Sequence, residues 1–160
     1  VRMIQFMKGT CYTGGVQAAR RLAPDFELFQ FSRDFKYAER MRSCEAVCDG
    51  CGQCFVTLGD PELRDIRYAR QAYDLAVRTL DEAQADLVIL DEISNALYYE
   101  LLDAEDAANL IARRPPGVEL VLTGRNMPPA ILDMADLVTE MRMVKHPFES
   151  GIPARRGIEY

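Results

Sequence analysis

The chain has little histidine, no excess of positive charge, no long hydrophobic run and no G-x-x-x-x-G-K-S/T phosphate loop. Each shortage removes a class of function. One histidine in 160 residues leaves no nucleophile–base pair readable from sequence, so triad-type covalent catalysis has no support. Lys145 and Pro147 flank that His146 and suggest a structural turn. Lys+Arg is 19 and Asp+Glu is 25, a net charge of −6. Binding to nucleic-acid backbone or to an anionic membrane needs the opposite sign, so neither is expected as a partner. No apolar run approaches the ~18 residues of a membrane span. The opening Val1–Phe6 carries no secretory pattern. It lacks an initiator Met and reads as the inside of a strand, so an N-terminal piece is expected upstream. Gly50-Cys51-Gly52 does not stand in for the phosphate loop, because it lacks the lysine and does not lie between a strand and a helix.

What is present suits one globular domain over 1–160, with 49% hydrophobic and 28% charged residues. Four of the five cysteines, Cys44, Cys48, Cys51 and Cys54, fall in one short cluster, and Cys11 stands alone. A secreted disulfide framework spreads its cysteines along the chain; one tight cluster reads as a metal site in a reducing, cytoplasmic compartment.

The patterning alternates strands and helices. Strands are expected at Arg2–Met7, Phe26–Phe31, Asp86–Asp91, Val118–Leu122 and Leu137–Met143. Helices are expected over Val16–Leu22, from Asp60-Pro61 to about Ala83, around Asn95–Leu101, from Asp103 to about Arg113, and over Pro128–Met134. The run Leu87–Leu90 is wholly apolar, as in a strand buried on both faces. From Lys145 the tail reads as irregular. The order predicts an α/β domain around a mostly parallel sheet, interrupted by a Cys-rich insert at about 38–59.

In such sheets ligands sit beyond the carboxyl ends of the strands. Lys8, Asp91, Glu92 and Arg125 occupy those ends. Paired acids such as Asp91-Glu92 can hold Mg²⁺ and orient a nucleotide's phosphates, or can simply end a strand. Thr123-Gly124-Arg125 offers a tight turn and a fixed cation for an anionic ligand. Lys8-Gly9-Thr10 sets another cation beside a flexible turn, and by itself reads as a solvated loop rather than a site.

A set of motifs in one order resembles a known family. They are Gln5–Thr10, Asp86–Ile93 with Ala96, Leu97 and Tyr99, Arg114-Pro115, Val121–Arg125 with Asn126 and Pro128, Ala135–Met141, Lys145–Phe148 and Gly157–Tyr160. Together they resemble the P-loop-type ATP:corrinoid adenosyltransferases, over nearly all the chain except about 36–65. The resemblance implies a RecA-like P-loop NTPase-type sheet with flanking helices, usually as a homodimer. It implies transfer of the 5′-deoxyadenosyl group of ATP to cobalt(I) of a corrinoid such as cobalamin, with release of triphosphate. Cobalt(I) is itself the nucleophile, so the protein must position ATP, neutralise the leaving anion and exclude water. By position, Glu92 resembles the Mg²⁺-associated acid with Asp91 beside it, and Lys8 and Arg125 the cations near the nucleotide. Phe35 and Tyr37 match an aromatic pair that packs on the corrinoid face; Tyr37 stands where the family often has Trp. A flavodoxin-type electron donor is also implied. Two departures stand out. The family's phosphate loop lies just upstream of the strand that begins here at Val1, and Gly15 replaces a usual Glu.

The spacing Cys44-x3-Cys48-x2-Cys51-x2-Cys54 is not a feature of that family. Four soft ligands this close wrap one centre, if any. Consecutive two-residue gaps resemble loops around a 4Fe–4S cluster, whereas structural zinc usually draws on two separated knuckles. Both metals, and free thiols or disulfides, stay open on spacing alone. Two other functions also remain: a generic P-loop ATPase, and a non-catalytic metal- or corrinoid-binding module.

Overall fold

The computed structural model describes residues 1–8, 14–33 and 56–152. They form a four-stranded, all-parallel sheet in the order β2-β1-β3-β4. The strands are β1 (Arg2–Phe6), β2 (Glu27–Phe31), β3 (Leu87–Asp91) and β4 (Glu119–Leu122). The helices are α1 (Gly14–Leu22), α2 (Leu63–Asp81), α3 (Ile93–Tyr98), α4 (Ala104–Ala112) and α5 (Pro129–Leu132). This is the α/β architecture that the alternating pattern predicts.

The crossover from β1 to β2 runs opposite in direction to those from β2 to β3 and β3 to β4. Right-handed connections therefore place α1 on one face of the sheet and α2 and α4 on the other. The α2 face holds the core: Ile4, Phe6, Val88 and Leu90 pack with Ala69, Ala72, Ala76 and Leu80 of α2 and Leu110 of α4. Small side chains at 69, 72 and 76 let α2 lie close against the strands. The opposite face is less covered, and β3 alternates between fully and partly buried residues. This corrects the expectation of burial on both faces, since Val121 on the neighbouring strand is exposed.

Helix bounds shift by a few residues, α1 starting at Gly14 and α3 running Ile93–Tyr98 rather than around Asn95–Leu101, and two differences go further. The long helix is capped at Glu62 rather than Asp60, because Asp65 Oδ2 accepts the Glu62 N–H at 3.2 Å and closes a capping box. Leu137–Met143 forms no strand. Its apolar alternation is genuine, but β4 pairs with β3 alone among the described strands, and a strand needs a backbone partner. Leu137, Met141 and Val144 are left almost fully exposed. His146 is structural, as its flanks suggest: its Nδ1 accepts the Phe148 N–H at 3.1 Å and caps the 3₁₀ turn Pro147–Ser150.

Candidate active site at the carboxyl edge of the sheet

Parallel pairing brings one polar side chain from each strand into a single row. Gln30 is in register with Gln5, and Gln5 with Asp91. Thr123 follows the last residue of β4, with its N–H donating to Leu90 O at 3.1 Å. The row is hydrogen-bonded across the sheet: Gln30 Nε2 donates to Gln5 Oε1 at 2.9 Å, Gln5 Nε2 to Asp91 Oδ2 at 2.8 Å, and Thr123 Oγ1 to Asp91 Oδ1 at 2.8 Å. Lys8 adds its ammonium to Asp91 Oδ2 at 2.7 Å. Both oxygens of Asp91 are thus engaged. Burial pushes its carboxyl up, but the hydrogen bonds from Lys8, Thr123 and Gln5 outweigh that and hold it below the ordinary aspartate range.

Glu92 is placed differently. Its backbone is left-handed, with φ of 64°, and turns the chain sharply from β3 into α3. Its N–H donates to Thr123 Oγ1 at 3.0 Å. One carboxylate oxygen, Oε2, accepts from Asn95 Nδ2, while Oε1 stands 4.0 Å from Lys8 Nζ. The side chain is 28% exposed. Asn95 Oδ1 accepts the Arg125 N–H at 2.9 Å, so one amide joins the acid to the turn after β4. That turn needs its glycine. Gly124 has φ of +132°, and a Cβ there would overlap the Ser94 hydroxyl.

Of the residues expected at the site, Lys8, Asp91, Glu92 and the Arg125 backbone therefore converge on one rim. Phe35, Tyr37, Cys44, Cys48, Cys51 and Cys54 lie outside the described residues. Among the described residues, no group of three or more His, Cys, Asp or Glu side chains could hold a metal ion. The pair at 91–92 nonetheless suits Mg²⁺, which takes one or two carboxylates and keeps its other positions for water and phosphate. Asp91 already accepts from Lys8, Gln5 and Thr123, whereas the contact of Glu92 Oε1 with Lys8 is long, at 4.0 Å, which makes Oε1 the better-placed hard oxygen.

The chain matches the model of the family described as ATP:corrinoid adenosyltransferase BtuR/CobO/CobP over residues 1–160. It belongs to the ATP:corrinoid adenosyltransferase family. A corrinoid adenosyltransferase of Pseudomonas aeruginosa is 31% identical over 160 residues, covering 100% of this chain and 69% of that protein. One from a Sinorhizobium species is 37% identical over 114 residues, 66% of this chain and 53% of the relative. One from Escherichia coli K12 is 35% identical over 96 residues, 60% of this chain and 49% of the relative. The chain thus spans about half the length of the Sinorhizobium and Escherichia relatives. In this candidate site, Gln5, Gln30 and Asn95 are residues to which motif reading gives no role. A glutamine between two apolar strand residues looks like the solvent side of a half-buried strand; only the register reveals the row.

Proposed function

We propose that this protein transfers the 5′-deoxyadenosyl group of ATP to cobalt(I) of a corrinoid. The observation that carries the reading is the convergence of Lys8, Asp91, Glu92 and the Thr123–Arg125 turn on one edge, in a chain that belongs to this family. In the transfer, the cobalt(I) electron pair of the corrinoid substrate forms a bond to C5′ of ATP. The C5′–O bond breaks and its electrons leave with triphosphate.

The residues on this rim then act on the leaving anion rather than on the nucleophile. Lys8 and Arg125 set positive charge beside the phosphates, and the backbone turn at Gly124 allows close approach. Glu92 would hold Mg²⁺, which would offset the negative charge of the triphosphate. Asp91 fixes Lys8 and, through Thr123, the backbone of Glu92. Phe35 and Tyr37 pack against the corrinoid face. The same reading carries a homodimer, a flavodoxin-type electron donor and a cytoplasmic setting. No helix among the described residues is long and apolar enough to cross a membrane.

The test is to incubate the complete protein anaerobically with ATP, Mg²⁺ and chemically reduced cobalamin. Formation of a cobalt–carbon bond, followed by its visible spectrum, is expected; its absence defeats the assignment. The four clustered cysteines are proposed to hold one metal centre, with a 4Fe–4S cluster ahead of zinc because of their two-residue gaps. Anaerobically purified protein is then brown, with iron and sulfide in equal amounts. Colourless protein with one zinc would remove the cluster, and metal-free protein would remove the centre.

A further inference from the structure

The exposed apolar stretch after Ala135, the buried Arg33–Asp65 pair and the Asn95 bridge are the features that the proposed transfer leaves unused. No described residue covers the first, and the second is accounted for by its role in holding α2. The third joins the rim acid to the turn after β4.

We infer that Asn95 is a positioning residue that selects which oxygen of Glu92 faces the nucleotide-bound Mg²⁺; this rests on the reading of the site given above. The Asn95 amide is committed at both ends. Nδ2 donates to Glu92 Oε2, and Oδ1 accepts the Arg125 N–H. Reversing the amide would set an NH₂ against an N–H and a carbonyl against a carboxylate, so neighbouring groups fix its orientation. Glu92 needs such a hold. It has a long, partly exposed side chain, and Lys8 Nζ lies only 4.0 Å from Oε1. Lys8 already contacts Asp91 at 2.7 Å. Released from Asn95, the Glu92 carboxylate would close onto that ammonium, and the two charges would neutralise each other instead of serving the ligand. The amide holds Oε2 towards α3 and leaves Oε1 for the ligand. Its other end accepts the backbone N–H of Arg125 in the turn after β4.

The deciding experiment measures ATP binding to the complete protein without corrinoid, in the presence and absence of Mg²⁺. In the parent, Mg²⁺ tightens ATP binding. In Asn95→Ala this gain falls about tenfold, equivalent to ~1.4 kcal/mol, while metal-free ATP affinity and melting temperature stay close to the parent's. Asn95→Leu keeps the branched shape and loses both hydrogen bonds, and gives the same loss should the alanine variant fail to fold. A folded variant of either kind that keeps the full Mg²⁺ gain overturns the role of Asn95 alone. A parent that shows no Mg²⁺ gain overturns the reading of Glu92, and this inference with it.

Discussion

Glu92 carries the acid of this site on a backbone conformation that costs a non-glycine residue about 1–3 kcal/mol. The hydrogen bonds to Thr123 and from Asn95 offset that cost and hold the side chain at the rim. Replacing Glu92 with Gln keeps the shape and an acceptor for Asn95 but removes the charge. Turnover should fall about 100-fold, the usual scale for a lost electrostatic contact to a reacting group, with the melting temperature unchanged. Steady-state kinetics beside a thermal melt check this, and full activity would remove Glu92 from the mechanism. At this scale the sequence was informative about charges and silent about amides. Lys8, Asp91, Glu92 and Arg125 stand out because charged residues end apolar strands. Gln5, Gln30 and Asn95 do not, because their roles come from partners 86, 25 and 30 residues away.

The end of β2 is tied to the start of α2 by a buried ion pair. Arg33 Nε donates to Asp65 Oδ1 at 2.6 Å, a second guanidinium nitrogen donates to Oδ2, and Glu62 lies 3.0 Å away. The side chains of Arg33 and Asp65 are 10% and 2% exposed, so loss of the Asp65 charge leaves a nearly buried guanidinium with the more exposed Glu62 as its counter-charge. Asp65→Asn should destabilise the fold by about 3 kcal/mol, measurable by denaturant unfolding. The hydrogen bond and charge of Arg33 hold the Asp65 carboxyl below its usual range despite burial. Its stabilisation is therefore complete above the unfolded value of about 3.9 and is lost as pH falls through the lower, folded value. The stability gap between parent and Asp65→Asn should be constant near neutrality and shrink only in strong acid. A gap that closes near pH 6 would assign the effect to another group. Element types were legible here because α2 has a long helical periodicity and β3 is an unbroken apolar run bounded by acids. The boundary at Glu62 was not, since Asp60-Pro61 looks like a start and only the reach of Asp65 back to the Glu62 N–H displaces it. Leu137–Met143 reads as a strand for a similar reason: alternation records a preference, whereas pairing needs a neighbour.

Across the molecule, the strand order brings the carboxyl ends of β1, β3 and β4 side by side, which places Lys8, the 91–92 acids and the 123–125 turn within one hydrogen-bonded rim. Family membership extends over residues 1–160; on the proposed transfer, a cation, a carboxylate and a close backbone turn would meet the leaving anion, with no need of a protein nucleophile. A hydrolytic P-loop ATPase would use similar charges but cut a different bond. The products therefore separate the two more sharply than any variant does. Phosphorus NMR of a reaction containing ATP, Mg²⁺ and reduced cobalamin should find one triphosphate for each cobalt–carbon bond formed. ADP and inorganic phosphate, with the corrinoid unalkylated, would contradict the account.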